Sequence, residues 1–184
     1  MDAAPLFLSL RGRLHRLHWW AAMAALFAVT VGLLWASSWF GLGPWYQQAN
    51  GSQAAIDAFG SIGWYGVGLT LVLAFPYYAV SIKRRHDRGS SGHDVTVYLV
   101  LLVAQVLWRA TQLGFTPAEV GSPSAPQNGF SSFIIWMPQP PSAYSAYSVL
   151  LGVYALYLVV VLGFMDGTRG VNRYGDDMAP ARGK

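Results

Sequence analysis

The chain contains no cysteine. Disulfides, a thiolate nucleophile, iron–sulfur ligation and cysteine-bound zinc are therefore excluded, while the compartment stays open. Charge is scarce too: 11% of the 184 positions are charged, against 54% hydrophobic. A soluble domain carries about a quarter charged residues, so there are too few here to build a water-facing shell. The composition reads as one compact membrane domain. Net charge is only +4, and the basic residues gather on one side of the topology derived below. That excludes a general nucleic-acid binder, which spreads Lys and Arg over a water-exposed face.

What is there is a set of long apolar segments. A helix rises about 1.5 Å per residue and the hydrocarbon core is about 30 Å thick, so roughly 20 residues span it. Four segments qualify, at about 19–40, 61–82, 95–113 and 144–164. The first is too long, and too well flanked by Trp19, Trp20, Trp35, Trp39 and Phe40, for a cleaved signal segment. Ala24, Ala28, Gly32 and Ala36 give it a small-residue stripe open to another helix. The second span carries a like stripe, Gly66, Thr70 and Ala74, and Pro76 is expected to kink it near its inner end. Arg109, near the far end of the third, is placed to snorkel to the interface.

Between and around the spans lie polar stretches. Residues 2–18 read either as an amphipathic interfacial helix with Leu6, Leu10, Leu14 and Leu17 on one face, weakened locally by Gly12, or equally as a short juxtamembrane tail with ordinary positive-inside charges. Residues 41–60 and 114–143 read as outer loops; the latter holds the apolar patch Phe130–Met137, too short to span and expected on the membrane surface or capping the helices. Lys83 to Asp94 is the one dense run of charge and reads as the hairpin between spans two and three. Lys and Arg fall three before the first span, four in this hairpin and four in the tail 165–184, with only Arg109 opposite. The positive-inside rule then puts both termini and the hairpin in the cytoplasm.

Three of these basic stretches resemble the signature of a bacterial inner-membrane family, domain of unknown function 805. Gly12-Arg13-Leu14-His15-Arg16-Leu17-His18-Trp19-Trp20 is similar to its entry motif. Arg84, His86, Asp87, Gly89, Ser91 and Gly92 follow its central motif, and Gly167-Thr168-Arg169-Gly170-Val171-Asn172-Arg173-Tyr174-Gly175 its closing one. Lys83, Arg85, His93 and His18 depart from that pattern, and 114–143 stands as an insertion. The resemblance implies a location and a fold without an activity.

Packing four helices would bring Arg13, Arg16, Arg84, His86, Asp87, Ser91, Gly92, Asn172, Arg173 and Tyr174 to one membrane face. Guanidiniums, an imidazole and Gly/Ser backbone amides are what a phosphate site requires, so this set is the candidate binding site for an anionic lipid head group or a membrane-protein partner. The competing reading is fastening: Asp87 as a salt-bridge partner, Asn172 and Tyr174 tying down the fourth helix, and Gly89, Gly92, Gly167 and Gly170 permitting turns. His15, His18, His86 and His93 with Asp87 and Asp94 offer a weaker metal reading. A lipid-directed enzyme with His86 as base is conceivable, but the adjacent His-Asp pair does not make a triad, which is recognised by geometry. No catalytic residue, metal or cofactor is assigned. The absence of ionisable groups at the span midplanes disfavours a monomeric ion-coupled transporter; an oligomeric channel built through the Ala24/Gly32 stripe is the alternative. The expectation is a four-transmembrane-helix all-α bundle with an interfacial N-terminal helix and a cytoplasmic polar layer, binding anionic phospholipid and open to homo-oligomerisation.

Overall fold

A computed structural model describes residues 3–39, 52–120 and 135–175. The elements are α1 (Ala3–Leu8), α2 (Arg16–Trp39), α3 (Ser52–Asp87), α4 (His93–Thr111), β1 (Thr116–Val120), β2 (Ile135–Gln139), α5 (Ser142–Val159) and a π-helical turn (Val160–Phe164). Four helices are long and apolar enough to cross a membrane: Arg16–Ser37, Gly63–Asp87, His93–Thr111 and Ser142–Phe164. The chain is a multi-pass membrane protein with an all-α bundle, to which β1 and β2 add one small antiparallel ribbon.

The helices alternate in direction, so the start of α2, the end of α3, the start of α4 and the π-helical turn meet at one end, the basic end. The buried cluster of Leu14, Trp19, Ala22, Leu26, Val80, Ile82, Val95, Leu158 and Leu162 lies there. Beyond it α2 makes no close backbone approach to α4, and it meets the fourth helix only at the π-helical turn. The bundle is joined at the basic end and open along its middle.

Several segments differ from the sequence-based expectation. The N-terminal helix stops at Leu8, and the chain runs irregularly to His15 before α2 begins. Gly12 sits at φ +97 in that break, a conformation that a side chain opposes. Leu14 then turns inward instead of lying on a membrane-facing stripe. Residues 52–60, read as part of a loop, are the first turns of α3, which runs through Pro76 without interruption to Asp87. At 36 residues it measures about 54 Å, well beyond the bilayer core, so Lys83 to Asp87 form its last turn and not a loop. The hairpin proper is Arg88 to Gly92. In the 114–143 segment, β1 pairs with β2, Thr116 opposite Gln139 and Val120 opposite Ile135, and both strands lie near α3. The patch from Phe130 to Ile134, residues 40–51 and the end of the tail lie outside the described residues. Ala24, Ala28, Gly32 and Ala36 are exposed on the side of α2 that faces away from the bundle.

Candidate functional site

The basic end is built around the last turn of α3. Arg84 is fully buried, and its guanidinium is consumed by protein acceptors. Its Nε donates to the carbonyl of Leu162 at 2.8 Å, one Nη to that of Met165 at 2.5 Å, and the other to that of Leu14 at 3.4 Å and to Asp87. Three positions on, and so on the same helix face, Asp87 receives Arg84 on one carboxylate oxygen and the Nε of Arg13 at 3.1 Å on the other. Arg13 comes from the irregular segment before α2, and it also donates to the carbonyls of Thr168 and Gly170, both at 2.6 Å. One acid thus joins two arginines from separate stretches, and their surplus positive charge is met by backbone carbonyls.

Those carbonyls are available for a local reason. The last four carbonyl groups of a helix lack intrahelical partners, and the π-helical turn shifts the ladder further. Val161, Leu162 and Gly163 present theirs to Arg88 (3.2 Å), Arg84 and the Trp20 indole (3.0 Å). Cations at a helix C-terminus also oppose its dipole. Lys83, likewise buried, does the same for α1 by donating to the carbonyls of Pro5 and Leu6.

The segment after the fourth helix is folded back onto α3. Thr168 donates its backbone N–H and its hydroxyl to the carbonyl of Asp87, each at 2.8 Å. The Asn172 amide donates to the carbonyl of His86 at 3.0 Å, and its oxygen accepts from the Tyr174 N–H at 2.9 Å. The Tyr174 ring lies flat on the His86 imidazole with centroids 3.8 Å apart, while His86 Nδ1–H donates to the carbonyl of Gly12 at 3.2 Å. Gly167 is required by proximity: a Cβ there would run into the Asp87 carboxylate. At the hairpin, Ser90 N–H donates to the carbonyl of Arg85 and Gly89 N–H to that of His86, a Schellman closure with Gly89 in the left-handed region at φ +70. Gly92 precedes α4 at φ +77, and a Cβ on it would come within 2.6 Å of Ile82.

The candidate set therefore divides. Arg13, Arg84, His86, Asp87, Asn172 and Tyr174 come together as one interlocked cluster, with Arg173 over the outer face of Tyr174 at 4.7 Å. Arg16 stands apart, paired with Asp166 at 3.1 Å at the surface. Ser91 bonds its neighbour His93 at 2.6 Å, and Gly92 serves the turn. His15 and His18 face each other edge-on with centroids 6.3 Å apart, and among the described residues no three His, Asp or Glu side chains group as metal ligands. Sequence reasoning missed Lys83, Arg88 and Thr168 as members of the cluster. Thr168 was visible in the closing motif, whereas nothing in the sequence marks the π-helical turn that Arg84 and Arg88 cap.

No curated protein and no solved structure matches this chain. A family model does: that described as protein of unknown function (DUF805) matches residues 7–176. The match runs from α1 to the segment that closes over α3, so the chain belongs to this family.

Proposed function

We propose that this family member is a non-enzymatic protein of the bacterial cytoplasmic membrane whose basic end lies in the cytoplasm and binds anionic phospholipid head groups. The binding groups in this reading are the arginines at the rim, the half-buried Arg16 and the exposed Arg169 and Arg173, and not the inner cluster. Arg13 and Arg84 spend their guanidiniums on Asp87 and on carbonyls, and so serve to hold the rim in shape.

One observation carries the reading. Around the basic end, the exposed large apolar side chains Leu17, Trp20, Phe164, Met165 and Val171 stand among the exposed Arg169 and Arg173 and the half-buried Arg16. A water-facing surface has no use for that mixture. At the head-group boundary the apolar groups enter the acyl region while guanidiniums reach phosphate, for which their planar fork is suited. A basic residue at an anionic surface contributes about 1 kcal/mol.

The test is lipid selectivity of the purified full chain in bilayer discs containing phosphatidylglycerol or phosphatidylcholine. Replacing Arg16, Arg169 and Arg173 together with glutamine should weaken the preference for the anionic lipid by about a hundredfold, with the melting temperature lowered by no more than a few degrees for the lost surface contacts to Asp166 and Tyr174. Selectivity that survives the triple substitution sinks the proposal. For orientation, a reporter fused after Lys184 should be active only in the cytoplasm; activity only outside would reverse it.

A further inference from the structure

The middle of the bundle holds a cavity of about 520 Å³, lined by side chains from all four spanning helices. Its origin is legible in the chain. Gly66, Thr70 and Ala74, four residues apart, turn the small-residue stripe of α3 toward it, and small side chains on a central helix leave room that its neighbours do not fill. A Cβ added to Gly66 would meet nothing within 4 Å. At the basic end the cavity begins at Trp19, Ser81 and Leu162, and toward the far end it reaches Leu34 and Gly66.

Its dimensions select an occupant. Trp19 and Leu34 on α2, like Ser81 and Gly66 on α3, are fifteen positions apart, a distance of about 22 Å along a helix. A volume of about 520 Å³ over that length makes a long, slender slot, the shape that extended hydrocarbon chains fill. A helix from a second copy, about 10 Å across, is far too wide. The lining is mostly apolar and the hydroxyls of Thr30 and Tyr77 bond each other, so the wall offers water few partners. A space open at bilayer depth adjoins one abundant material of this width.

We infer that the cavity holds unbranched acyl hydrocarbon of a membrane phospholipid, threaded between the helices along α3. The bound chain completes the packing that the four helices leave unfinished. This inference does not depend on the charge of the head group or on the rim arginines, so each stands or falls alone.

The experiment uses the full-length protein in bilayer discs containing a phosphatidylcholine with a diazirine on one acyl chain; its neutral head group isolates the chain from the rim. Photolysis should label cavity residues on α3 and α4, and substituting the cavity with leucine (Gly66→Leu) should reduce that labelling about tenfold. Gly68→Leu, two positions on and so about 200° round α3 on its exposed side, should leave cavity labelling unchanged. If Gly66→Leu fails to accumulate, Ala74→Leu fills the same cavity at another depth and should give the same loss. Labelling that persists after filling, or labels confined to outward-facing residues, overturns the inference. So does an isoprenoid, in place of phospholipid, as the lipid retained by the purified native protein.

Discussion

At the basic end, Arg13, Lys83, Arg84 and Asp87 are buried and bonded to one another or to backbone carbonyls. In the far half, the same helices turn Leu33, Leu71, Val100 and Val153 outward, and few polar ties join them. Gln105 reaches Ser148, and Tyr147 reaches the carbonyl of Leu101, both between α4 and α5. The difference follows from the solvent on each side. Lipid tails are as apolar as leucine, so helices immersed in them gain little from burying apolar surface against each other. Where the chain leaves the hydrocarbon, burial and charge-assisted hydrogen bonds both act, and there the four helices are fixed. Away from that end α2 stands off from α4 and a cavity is tolerated, while α3 and α4 stay close enough that a Cβ on Gly63 would lie 2.7 Å from the Ala110 backbone.

The largest way to break this arrangement is Asp87→Ala. It leaves the guanidiniums of Arg13 and Arg84 buried without their carboxylate, and removing one partner of a buried ion pair costs about 3–5 kcal/mol. That is a large fraction of the about 5–15 kcal/mol that holds an ordinary domain together, so the variant should be recovered in low yield and should unfold well below the native protein in a thermal size-exclusion assay. A variant with native yield and melting temperature would mean that the cluster is not what closes the bundle.

A second test applies one substitution to both regions. A Cβ on Gly163 would lie 2.6 Å from the Trp20 ring and 3.0 Å from that of Trp19, whereas one on Gly152, in the same long segment, would meet nothing within 4 Å. Gly163→Ala should therefore cost about 1–3 kcal/mol through overpacking. Gly152→Ala should be neutral or stabilising, because alanine is the better helix former. Equal melting temperatures for the two variants would remove the contrast between a tight end and a loose one.

The spans and their gathering of three motifs at one end were legible because apolar length and basic-residue counts are strong signals. The state of Lys83 to Asp87 was not. A run of four charged residues and a histidine reads as solvated, and nothing local shows that the carbonyls of Leu162 and Met165 will stand beside Arg84. Those acceptors come from some eighty residues away, freed by a π-helical turn whose sequence, Val160–Phe164, is ordinary apolar material. Competing readings of Asp87 as ligand site or fastener had the same residues behind them, and only placement separates them. The break at Gly12 was half visible: glycine weakened the helix, but the pull of Asp87 on Arg13 lies outside any local pattern.

The smallest effect is expected at Gln105. Its amide donates to the Ser148 hydroxyl at 2.8 Å, and that hydroxyl in turn donates to the carbonyl of Tyr144 at 2.9 Å. Gln105→Leu therefore strands no donor on Ser148, whose proton keeps its acceptor within α5. Side-chain hydrogen bonds between membrane helices average about 0.6 kcal/mol, and the leucine adds apolar contact that offsets part of the loss. The melting temperature should move by no more than a few degrees, against the collapse expected for Asp87→Ala. A loss at Gln105 as large as that at Asp87 would show that the far half is fastened too, and that α4 and α5 are held by polar pairing along their whole length.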